Sequence, residues 1–466
     1  MASSSPAGLP ASDLSRTRPT RQRYVVMTFL CVLSFLTYFD RVCIMRAQED
    51  IQKDLGISAE SMGLVFGAFW LAYGLFEIPG GWMGDRYGSR ATLTRIVLAW
   101  SLFTLLTGSA TGLTSLLVYR FLFGVGEAGA YPNMARVQGH WLPARARARA
   151  GGLLWLLARW GGAFSPLLFG EMLRFFAAPG FRDFLTSLGL PAPIPAWRMA
   201  FWAAGLIGVF WCLAFYPWFR DDPAAVSSVN AAELQLIRAG NAPKPESQRL
   251  PAEVWSSLLT SRSLWAIGLL YIFGSFGWSF FVTWMPRYLQ EIHQVTFEKS
   301  EKMTGLPLFF GGISCLAGGA LSDLLVRRTG RKWLGRAVFP ICGFTTAALA
   351  MYSLRFASTP EQASILMCIA SAGNDFGQGA NWATIVDIGG HYAGTATGFI
   401  NMVGNAGNSL QPYLGALIFQ RLGWNVLQGV YAATFLSAAA MWLFISPYRT
   451  FYASKFHAGQ TGEGVV

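Results

Sequence analysis

The chain has 466 residues, of which 53% are hydrophobic and only 13% are charged, and its mean hydropathy is +0.38. Soluble domains contain about 25% charged residues, so this composition excludes an ordinary water-soluble protein. The formal net charge of +12 does not indicate a nucleic-acid-binding protein, because the basic residues lie in short segments between apolar stretches, as they do in membrane proteins.

Twelve segments are long and apolar enough to cross a membrane, which takes about 20 mostly apolar residues in a helix. In chain order, spans 1 to 12 are predicted at 24–46, 60–82, 92–111, 113–138, 150–176, 198–219, 263–288, 303–326, 333–354, 361–387, 393–420 and 424–446. Span 1 is longer than a signal-peptide core and lacks an A-x-A cleavage pattern, so we expect a retained helix. Residues 1–23 are predicted to be a disordered cytoplasmic tail, and residues 448–466 a second cytoplasmic tail.

The basic residues predict the orientation in the membrane. Arginine and lysine are concentrated before span 1 and in the loops after spans 2, 4 and 8, which all fall on one side of a membrane that is crossed twelve times. Positive charge marks the cytoplasmic side, so both termini are expected in the cytoplasm. No organelle-targeting signal is clear, and we expect a multi-pass protein of a bacterial inner membrane.

The longest polar stretch, residues 220–262, divides the chain into six spans plus six. It predicts an N-terminal six-helix bundle at 24–219, a cytoplasmic linker with a short surface helix near 231–239, and a C-terminal six-helix bundle at 263–447. Spans 2 and 8 are both followed by a loop with acidic and basic residues, and spans 5 and 11 share a glycine and a proline at the same spacing. Such a duplicated unit usually encloses a substrate site at the bilayer midplane.

Three motifs carry a resemblance to a known family. Residues 81–90 (GWMGDRYGSR) resemble the loop signature of the major facilitator superfamily, and residues 119–132 (YRFLFGVGEAGAYP) and 381–388 (NWATIVDI) resemble its anion:cation symporter family. Similar bacterial proteins carry hexuronate, galactonate or glucarate, and sialin and the vesicular glutamate carriers are more distant. The resemblance implies two pseudo-symmetric six-helix bundles that alternate access to a central site, and a protein that works as a monomer.

Four charged residues lie where the spans cross the bilayer: Asp40 and Arg41 in span 1, and Arg120 and Glu127 in span 4. A charge at the bilayer centre costs about 3 kcal/mol on insertion scales, so such residues are functional by default. Arg41 and Arg120 are predicted to bind a carboxylate, which a guanidinium matches bidentately. Asp40 and Glu127, balanced between burial and neighbouring arginines, are predicted to carry the coupling protons. The alternative is a set of ion pairs that only hold helices together.

Two further charges, Arg159 in span 5 and Asp375 in span 10, are not expected from the family pattern. Arg159 is predicted to contact the substrate, and a third arginine would suit a more anionic substrate such as a dicarboxylate. A helix-packing role for Arg159 is the alternative. Asp375 is expected either to counter Arg159 across the interface of the halves, to serve as another proton site, or to lie in a water-filled cavity without a set role.

Neutral polar and aromatic residues are predicted to recognise the rest of the substrate. Tyrosine can stack on a sugar and hydrogen-bond its hydroxyls, and asparagine offers both a donor and an acceptor. The predicted substrate-binding residues of this kind are Tyr38, Tyr73, Asn381, Trp382, Asn401 and Asn405, with Gln378 as an uncertain member. Helix packing is the alternative for each. We therefore expect charge recognition in the first half and hydroxyl recognition in the second.

Gating residues are predicted at the cytoplasmic end of span 2. Glu77 is read as part of a gating network rather than of the substrate chemistry. The family resemblance implies that Asp85 caps and pairs at a neighbouring helix end and latches the cytoplasmic side, together with Arg86 and Arg90. A carboxylate at a helix N-terminus forms such a switchable contact.

A copy of this latch is expected after span 8. Asp323 would be the counterpart of the loop aspartate, with Arg327 or Arg331 as its partner. The spacing of these residues is irregular, so the match to the first half is weaker.

The remaining motif search favours a transporter over an enzyme. No G-x4-G-K-[ST] phosphate loop, H-E-x-x-H metal site or G-x-S-x-G nucleophile is present, so we expect no ATP drive, no catalytic residue, no metal and no cofactor. H⁺ is the expected coupling ion, because Asp40 and Glu127 are the predicted proton carriers. The sequence predicts proton-coupled symport of a small organic anion such as a sugar acid. Another monocarboxylate or dicarboxylate, sodium coupling or export are the alternatives, and a non-transporting sensor is a remote one.

Overall fold

A computed structural model describes residues 18–187, 194–239 and 252–452. Within these ranges the chain is almost entirely helical and contains no β-strand. Most of the predicted disordered tail (1–17), the middle of the predicted linker (240–251) and most of the C-terminal tail (453–466) lie outside the described residues.

Twelve helices, α1 to α12, match spans 1 to 12. Their bounds, with α4 and α10 each in two pieces, are Gln22–Arg46, Ala59–Tyr87, Ser89–Gly108, Leu113–Glu127 with Ala130–Trp141, Arg147–Ala177, Ala196–Trp218, Arg262–Thr283, Phe297–Thr329, Lys332–Ser353, Pro360–Phe376 with Gln378–Gly389, Ala393–Leu422 and Trp424–Met441. Shorter helices lie at Gln48–Leu55, Pro179–Ser187, Ala231–Arg238, Ala252–Thr260 and Met285–His293. The helix at Ala231–Arg238 lies where a surface helix was predicted.

Capping residues and glycines set the helix ends. Ser58 accepts a hydrogen bond from the backbone N–H of Ser61 at the start of α2, and Thr359 caps α10 in the same way just before Pro360. Gly88 separates α2 from α3 with a φ of 87°, a conformation that side-chain-bearing residues rarely adopt. Predicted span 7 is shorter than expected, because Pro286 starts the separate helix Met285–His293.

Nine helices in the described ranges are long and apolar enough to span a membrane on those two properties alone. The other three are α4, α10 and α11. A turn at Ala128–Gly129 interrupts α4, and Gly377 interrupts α10, so their pieces are short. The helix α11 is continuous, and asparagines such as Asn401 and Asn405 lower its hydropathy. Polar residues from all three helices face the central cavity, so the weakest apolar signals occur where the site is built.

The helices form two related six-helix halves, α1–α6 and α7–α12. In the first half α1 packs on α5, α2 on α4 and α3 on α6, and in the second half the corresponding pairs α7–α11, α8–α10 and α9–α12 pack together. The halves meet where α2 packs on α11 and where α5 packs on α8. These two contacts are equivalent, because α8 and α11 are the second-half counterparts of α2 and α5. This is the predicted two-bundle fold; the bundle boundaries given above stay a prediction.

Glycines allow the close approach of the two halves. A Cβ on Gly394 of α11 would lie 2.7 Å from the carbonyl oxygen of Gly81 of α2, and a Cβ on Gly319 of α8 would lie 2.9 Å from the carbonyl carbon of Ala148 of α5. Small residues let helix backbones come together in lipid. Both contacts lie toward the end of the molecule where α1 begins, which is called the tail end below.

The structure corrects the predicted disorder for residues 18–23. Glu233, on the short linker helix, is fully buried and accepts hydrogen bonds from the backbone N–H groups of Gln22 and Arg23, both at 3.1 Å. Its carboxylate also pairs with the Arg23 guanidinium, with 2.9 Å between Nη1 and Oε1. The linker thus caps the N-terminus of α1 with a carboxylate, which is the favourable sign of charge there.

Candidate functional site

A cavity of about 300 Å³ lies between the two halves in the middle of the molecule. Its charged lining residues all belong to the first half: Arg41, Glu77, Arg120 and Arg159. Its amide residues all belong to the second half: Asn374, Gln378, Asn401, Asn405 and Asn408. Aromatic rings form much of the remaining wall, among them Tyr38, Phe69, Trp70, Tyr73, Trp155, Tyr271, Trp278 and Phe344. The cavity therefore joins an electrostatic wall to a hydrogen-bonding wall.

The cavity extends away from the tail end. It reaches Val42 and Met45 close to the far end of α1, whereas Glu77 is the α2 lining residue closest to the tail end. Beyond Glu77, the glycine contacts between α2 and α11 leave no space between the halves. The described conformation is thus closed at the tail end.

Arg41 and Glu127 form a buried ion pair beside the cavity. The distance from Arg41 Nε to Glu127 Oε1 is 2.7 Å, and Glu127 Oε2 has no hydrogen-bond partner. The Arg41 guanidinium also lies 4.4 Å from the ring centre of Tyr73 and 5.2 Å from that of Tyr38. An aromatic face attracts a desolvated cation by about 2 kcal/mol, so the rings help to hold Arg41 where it borders the cavity.

Arg120 has no hydrogen-bond or ion-pair partner among the described residues, although it is buried and lines the cavity. Its guanidinium lies 4.5 Å from the ring centre of Phe123 and 5.1 Å from that of Phe69. Glu127 follows Arg120 by seven residues, about two helical turns, so both lie on the same face of α4. A buried guanidinium that is not hydrogen-bonded to a carboxylate of the protein is the arrangement expected for a site that takes an anion.

Asp40 lies behind the cavity wall rather than on it. Its carboxyl group is buried, does not line the cavity, and its Oδ1 atom has no hydrogen-bond partner. The group is close enough to Arg120 to interact with it electrostatically. The four charges predicted from spans 1 and 4 therefore come together in one cluster, in which one arginine is paired and the other is not.

Arg159 and Asp375 form a second buried pair, which joins α5 to α10 across the two halves. The guanidinium is bidentate, with 2.7 Å from Nε to Oδ2 and 2.8 Å from Nη2 to Oδ1. Gly311 of α8 leaves room for the pair, because a Cβ there would lie 2.6 Å from Asp375 Oδ2. Of the three alternatives given for Asp375, this geometry matches the first, in which Asp375 is the counter-charge to Arg159 across the interface of the halves.

Glu77 lies deeper than its predicted place near the end of span 2. The side chain is fully buried and lines the floor of the cavity, where its Oε2 atom accepts a hydrogen bond of 3.2 Å from Asn401 Nδ2 of the other half. Oε1 has no partner, and the carboxyl group makes no ion pair among the described residues. Glu77 thus lines the cavity, and its predicted role in gating rather than in substrate chemistry stays a prediction.

Asn381 and Trp382 do not line the cavity, which corrects their predicted contact with the substrate. Asn381 accepts a hydrogen bond of 3.1 Å from Nε1 of Trp442, which directly follows α12. Trp382 is fully buried and donates from Nε1 to Gln138 Oε1 at 2.8 Å, so it fastens α10 to α4 across the halves. Helix packing, the stated alternative, is the role that these contacts describe.

The α11 asparagines do line the cavity, and they were only partly found from the sequence. Asn408, which was not predicted, lines it with Asn401 and Asn405. The spacing i, i+4, i+7 places the three on one helix face, and this signal was available. Asn374 and Trp278 also line the cavity, and nothing in the local sequence distinguishes Trp278 among the 18 tryptophans.

Two aspartates close the tail end in the same way. Asp85 accepts hydrogen bonds from the backbone N–H and the hydroxyl of Thr395 in the first turn of α11, both at 2.7 Å. Asp323 accepts a hydrogen bond of 2.8 Å from the backbone N–H of Arg149 in the first turn of α5. Each carboxylate thus caps a helix of the opposite half, where the helix dipole favours negative charge. The geometry is that of the predicted latch, whose gating role stays a prediction.

The arginine partners of this latch differ from those predicted. Asp323 pairs with Arg336, at 2.7 Å from Nη1 to Oδ1, and not with Arg327 or Arg331, because the start of α9 faces the end of α8. Asp85 pairs with Arg136 of α4, at 3.4 Å from Nε to Oδ1. A third link across the halves, the Arg147–Asp387 ion pair, was not predicted.

Arg86 and Arg90 do not bridge the halves. The Arg90 guanidinium donates from Nε to the carbonyl oxygen of Tyr216 at 2.9 Å and lies over the ring of that tyrosine, so it fastens α3 to α6. Arg86 lies 6.0 Å from the ring centre of its neighbour Tyr87 and has no ion pair among the described residues. These contacts remain within the first half. The prediction that Arg86 and Arg90 take part in the latch together with Asp85 is therefore corrected: within the described ranges, neither arginine forms a hydrogen bond or ion pair with the other half.

Replacement of Asp85 by asparagine is expected to open the tail end. Loss of the charged acceptor weakens three hydrogen bonds, the two from Thr395 and one of 3.3 Å from the backbone N–H of Gly394, by about 2 kcal/mol in total. This corresponds to about a 30-fold change in the ratio of closed to open molecules. Spin labels on the exposed residues Tyr87 and Arg328, in a chain without its six native cysteines, would then report longer distances. Glu171→Gln, at the opposite end, serves as the matched control, and an unchanged distribution in Asp85→Asn would refute the latch.

Comparisons of the sequence with known proteins add three findings. A family model described as the Major Facilitator Superfamily matches residues 30–412. The chain is 31% identical over 445 residues to the probable sulfoacetate transporter SauU of Cupriavidus necator, covering 94% of this chain and 97% of that protein. It is 31% identical over 443 residues to the D-galactonate transporter of Escherichia coli O6:H1, covering 92% of this chain and 95% of that protein.

A solved structure of the proton:xylose symporter XylE, bound to 6-bromo-6-deoxy-D-glucose, has a TM-score of 0.68 with this chain. The two are 16% identical, and the match covers 92% of this chain and 98% of the other. At this identity the likeness concerns the fold alone. The likeness in fold extends over both six-helix halves of this chain.

Proposed function

The chain belongs to the major facilitator superfamily, and from that premise we propose that this transporter carries a small organic anion, such as a sugar acid, together with protons. Its relatives bear out the resemblance read from residues 81–90, 119–132 and 381–388. Sulfoacetate and galactonate, which name two of those relatives, are both organic anions. The relatives are transporters, and the chain is a transporter rather than an enzyme.

The single observation that carries the anion proposal is the unpaired Arg120 at the cavity wall. A buried charge without a partner is costly, and a bound carboxylate or sulfonate removes that cost. The planar guanidinium stays charged in a dry site and can hold two oxygens of such a group. On the facing wall, the amides of Asn401, Asn405 and Asn408 offer donors and acceptors to hydroxyl groups on the rest of the molecule.

Proton coupling rests on the contact between Arg41 and Glu127. While Glu127 is ionised, its carboxylate holds Arg41 at 2.7 Å. A proton on Glu127 removes the negative charge, so Arg41 becomes available to the substrate together with Arg120. Proton and anion then enter the same cluster and favour each other's binding, which is the linkage that symport requires. Asp40, beside Arg120, is the second proposed proton site.

The proposed setting is a bacterial inner membrane with the tail end in the cytoplasm. Arginines at this end, such as Arg145, Arg149, Arg327 and Arg328, supply the positive charge typical of the cytoplasmic side. In that orientation the cavity extends toward the outside, and we propose that the substrate enters from there. We further propose that the protein works as a monomer and that H⁺, without a cofactor, is the coupling ion.

The proposal is tested with purified protein in liposomes under an inward proton gradient. One pH unit is worth about 1.4 kcal/mol per proton, which can drive about tenfold accumulation of a co-transported anion. We expect at least one anion of a panel of labelled D-galactonate, D-glucuronate, D-glucarate and sulfoacetate to accumulate, and a protonophore to abolish the accumulation. Uptake that follows a sodium gradient and ignores the proton gradient, or no uptake of any of these anions, would refute it.

A further inference from the structure

The cavity has three guanidinium groups, but two of them already have a carboxylate of the protein. Arg41 pairs with Glu127, and Arg159 pairs with Asp375 through two hydrogen bonds. Only Arg120 has no carboxylate within hydrogen-bond or ion-pair distance among the described residues. A count of arginines from the sequence therefore overstates the positive charge that a ligand meets.

Neighbouring side chains supply further contacts to both members of the Arg159–Asp375 pair. Asn374 Nδ2 donates a further hydrogen bond of 2.8 Å to Asp375 Oδ1. The indole of Trp278 covers the Arg159 guanidinium, with 4.4 Å to the ring centre. Both side chains are nearly or fully buried. A ligand carboxylate that approached Arg159 would have to compete with Asp375 at close range.

The one acidic residue in the described cavity lining, Glu77, cannot balance the charge of a second anionic group on the ligand. Glu77 lines the floor and is hydrogen-bonded to Asn401. Whatever its protonation state, this carboxyl group gives a second anionic group no counter-charge. The wall facing Arg120 consists of amides and aromatic rings, which suit a neutral, hydroxyl-bearing body.

We infer that the site selects organic anions with one ionised group, and that Asp375 is the residue that excludes a second one. The inference rests on the proposed function and narrows its substrate class to monoanions. Protonation of Glu127 frees Arg41 only beside Arg120, because the two guanidinium groups lie 5.6 Å and 5.1 Å from the ring centre of the same Phe69 and so serve one anionic group. A second ionised group, at the other end of the ligand, would be buried either without a cation or beside the Asp375 carboxylate, and like charges placed so close reject a ligand strongly. Sulfoacetate carries two ionised groups, a carboxylate and a sulfonate. The inference therefore predicts that this chain differs in substrate from the relative named for sulfoacetate.

Ligands that differ only in the second charge test the inference. D-Gluconate and D-glucarate, and D-galactonate and galactarate, share their carbon chain and differ at one terminal carbon, which is a hydroxymethyl group or a carboxylate. Binding to the purified full-length protein is measured by displacement of labelled D-galactonate. We expect each monoanion to bind at least about tenfold more tightly than its dianion partner.

Variants of the Arg159–Asp375 pair test whether Asp375 is the residue that causes the preference for monoanions. Asp375→Asn exposes the Arg159 charge, and we expect the ratio of dianion to monoanion affinity to rise at least about tenfold. Asp375→Glu keeps the charge and should keep the preference for monoanions. The double variant Arg159→Gln/Asp375→Asn removes both charges and should lose the gain seen with Asp375→Asn.

The results separate this inference from the proposed function. Native protein that binds glucarate or sulfoacetate as tightly as the monoanions would overturn the inference and leave anion transport intact, and this measurement needs no variant to fold. An unchanged affinity ratio in folded Asp375→Asn would overturn the role of Asp375. If none of the anions binds or is transported, the proposed function and the inference fall together.

Discussion

Arg120→Ala is expected to weaken binding of the anion about 100-fold or more. The guanidinium is the one in the described cavity lining without an acidic partner, so its removal takes away the charge that balances the substrate. Loss of one partner of a buried, hydrogen-bonded charge pair costs about 3 kcal/mol or more, which corresponds to this factor. Arg120→Lys keeps the charge but not the bidentate geometry, so we expect an intermediate affinity. Displacement of labelled D-galactonate measures all three proteins.

The stability of the same variants tests the assignment independently. Because Arg120 makes no hydrogen bond or ion pair among the described residues, its removal is expected to change the melting temperature of the ligand-free protein less than removal of Arg41 does. Arg41→Ala should lower it, because Glu127 then remains buried without its cation. Arg174→Ala, on the exposed surface, is the matched control for removal of an arginine. Native affinity in folded Arg120→Ala would contradict the proposed anion site.

Glu127→Gln is expected to abolish uptake driven by a proton gradient while exchange of the anion continues. The amide carries no negative charge and takes up no proton, so it imitates the protonated carboxyl group and leaves Arg41 free for the substrate. Accumulation under a gradient of one pH unit should fall about tenfold, to the level without a gradient. Counterflow of labelled D-galactonate in the same liposomes measures the exchange that remains.

The pH dependence of binding has a defined sign in this scheme. Acidification protonates Glu127 and releases Arg41, so the affinity of the native protein for the anion should rise as the pH falls. In Glu127→Gln the affinity should be high and nearly independent of pH. Glu171→Gln, which removes an exposed carboxylate, is the matched control. Gradient-driven accumulation that persists in Glu127→Gln would refute the assigned proton site and direct attention to Asp40.

Much of the site could be predicted from the sequence because a membrane makes charge conspicuous. Asp40, Arg41, Arg120 and Glu127 are charged residues in apolar spans, and the structure brings all four into one cluster. The same logic located the twelve helices, since a lipid-facing backbone must satisfy its hydrogen bonds within a helix of sufficient length. Asn401 and Asn405 were found because amides are rare in such helices.

The errors concern residues whose role depends on what they face. Trp382 is a residue type common in binding sites, yet its indole N–H donates to Gln138 and its side chain does not line the cavity. Asp323 was expected to pair with arginines nearby in the chain, and it pairs with Arg336 on the next helix. Sequence spacing says which residues share a helix face, but not which helix that face meets.

The sequence by itself determined that the chain is a twelve-span membrane protein in two related halves with buried charge in the first half. Length, hydropathy and repeat spacing are properties of single helices, and lipid acts on each helix separately. Only the tertiary structure decided which arginine is available to a ligand. Arg41, Arg120 and Arg159 are alike in sequence, but Glu127 and Asp375 reach two of them from other helices, in the second case from the other half. The charge of a site is the sum of groups brought together by packing, and that sum is set where the helices meet.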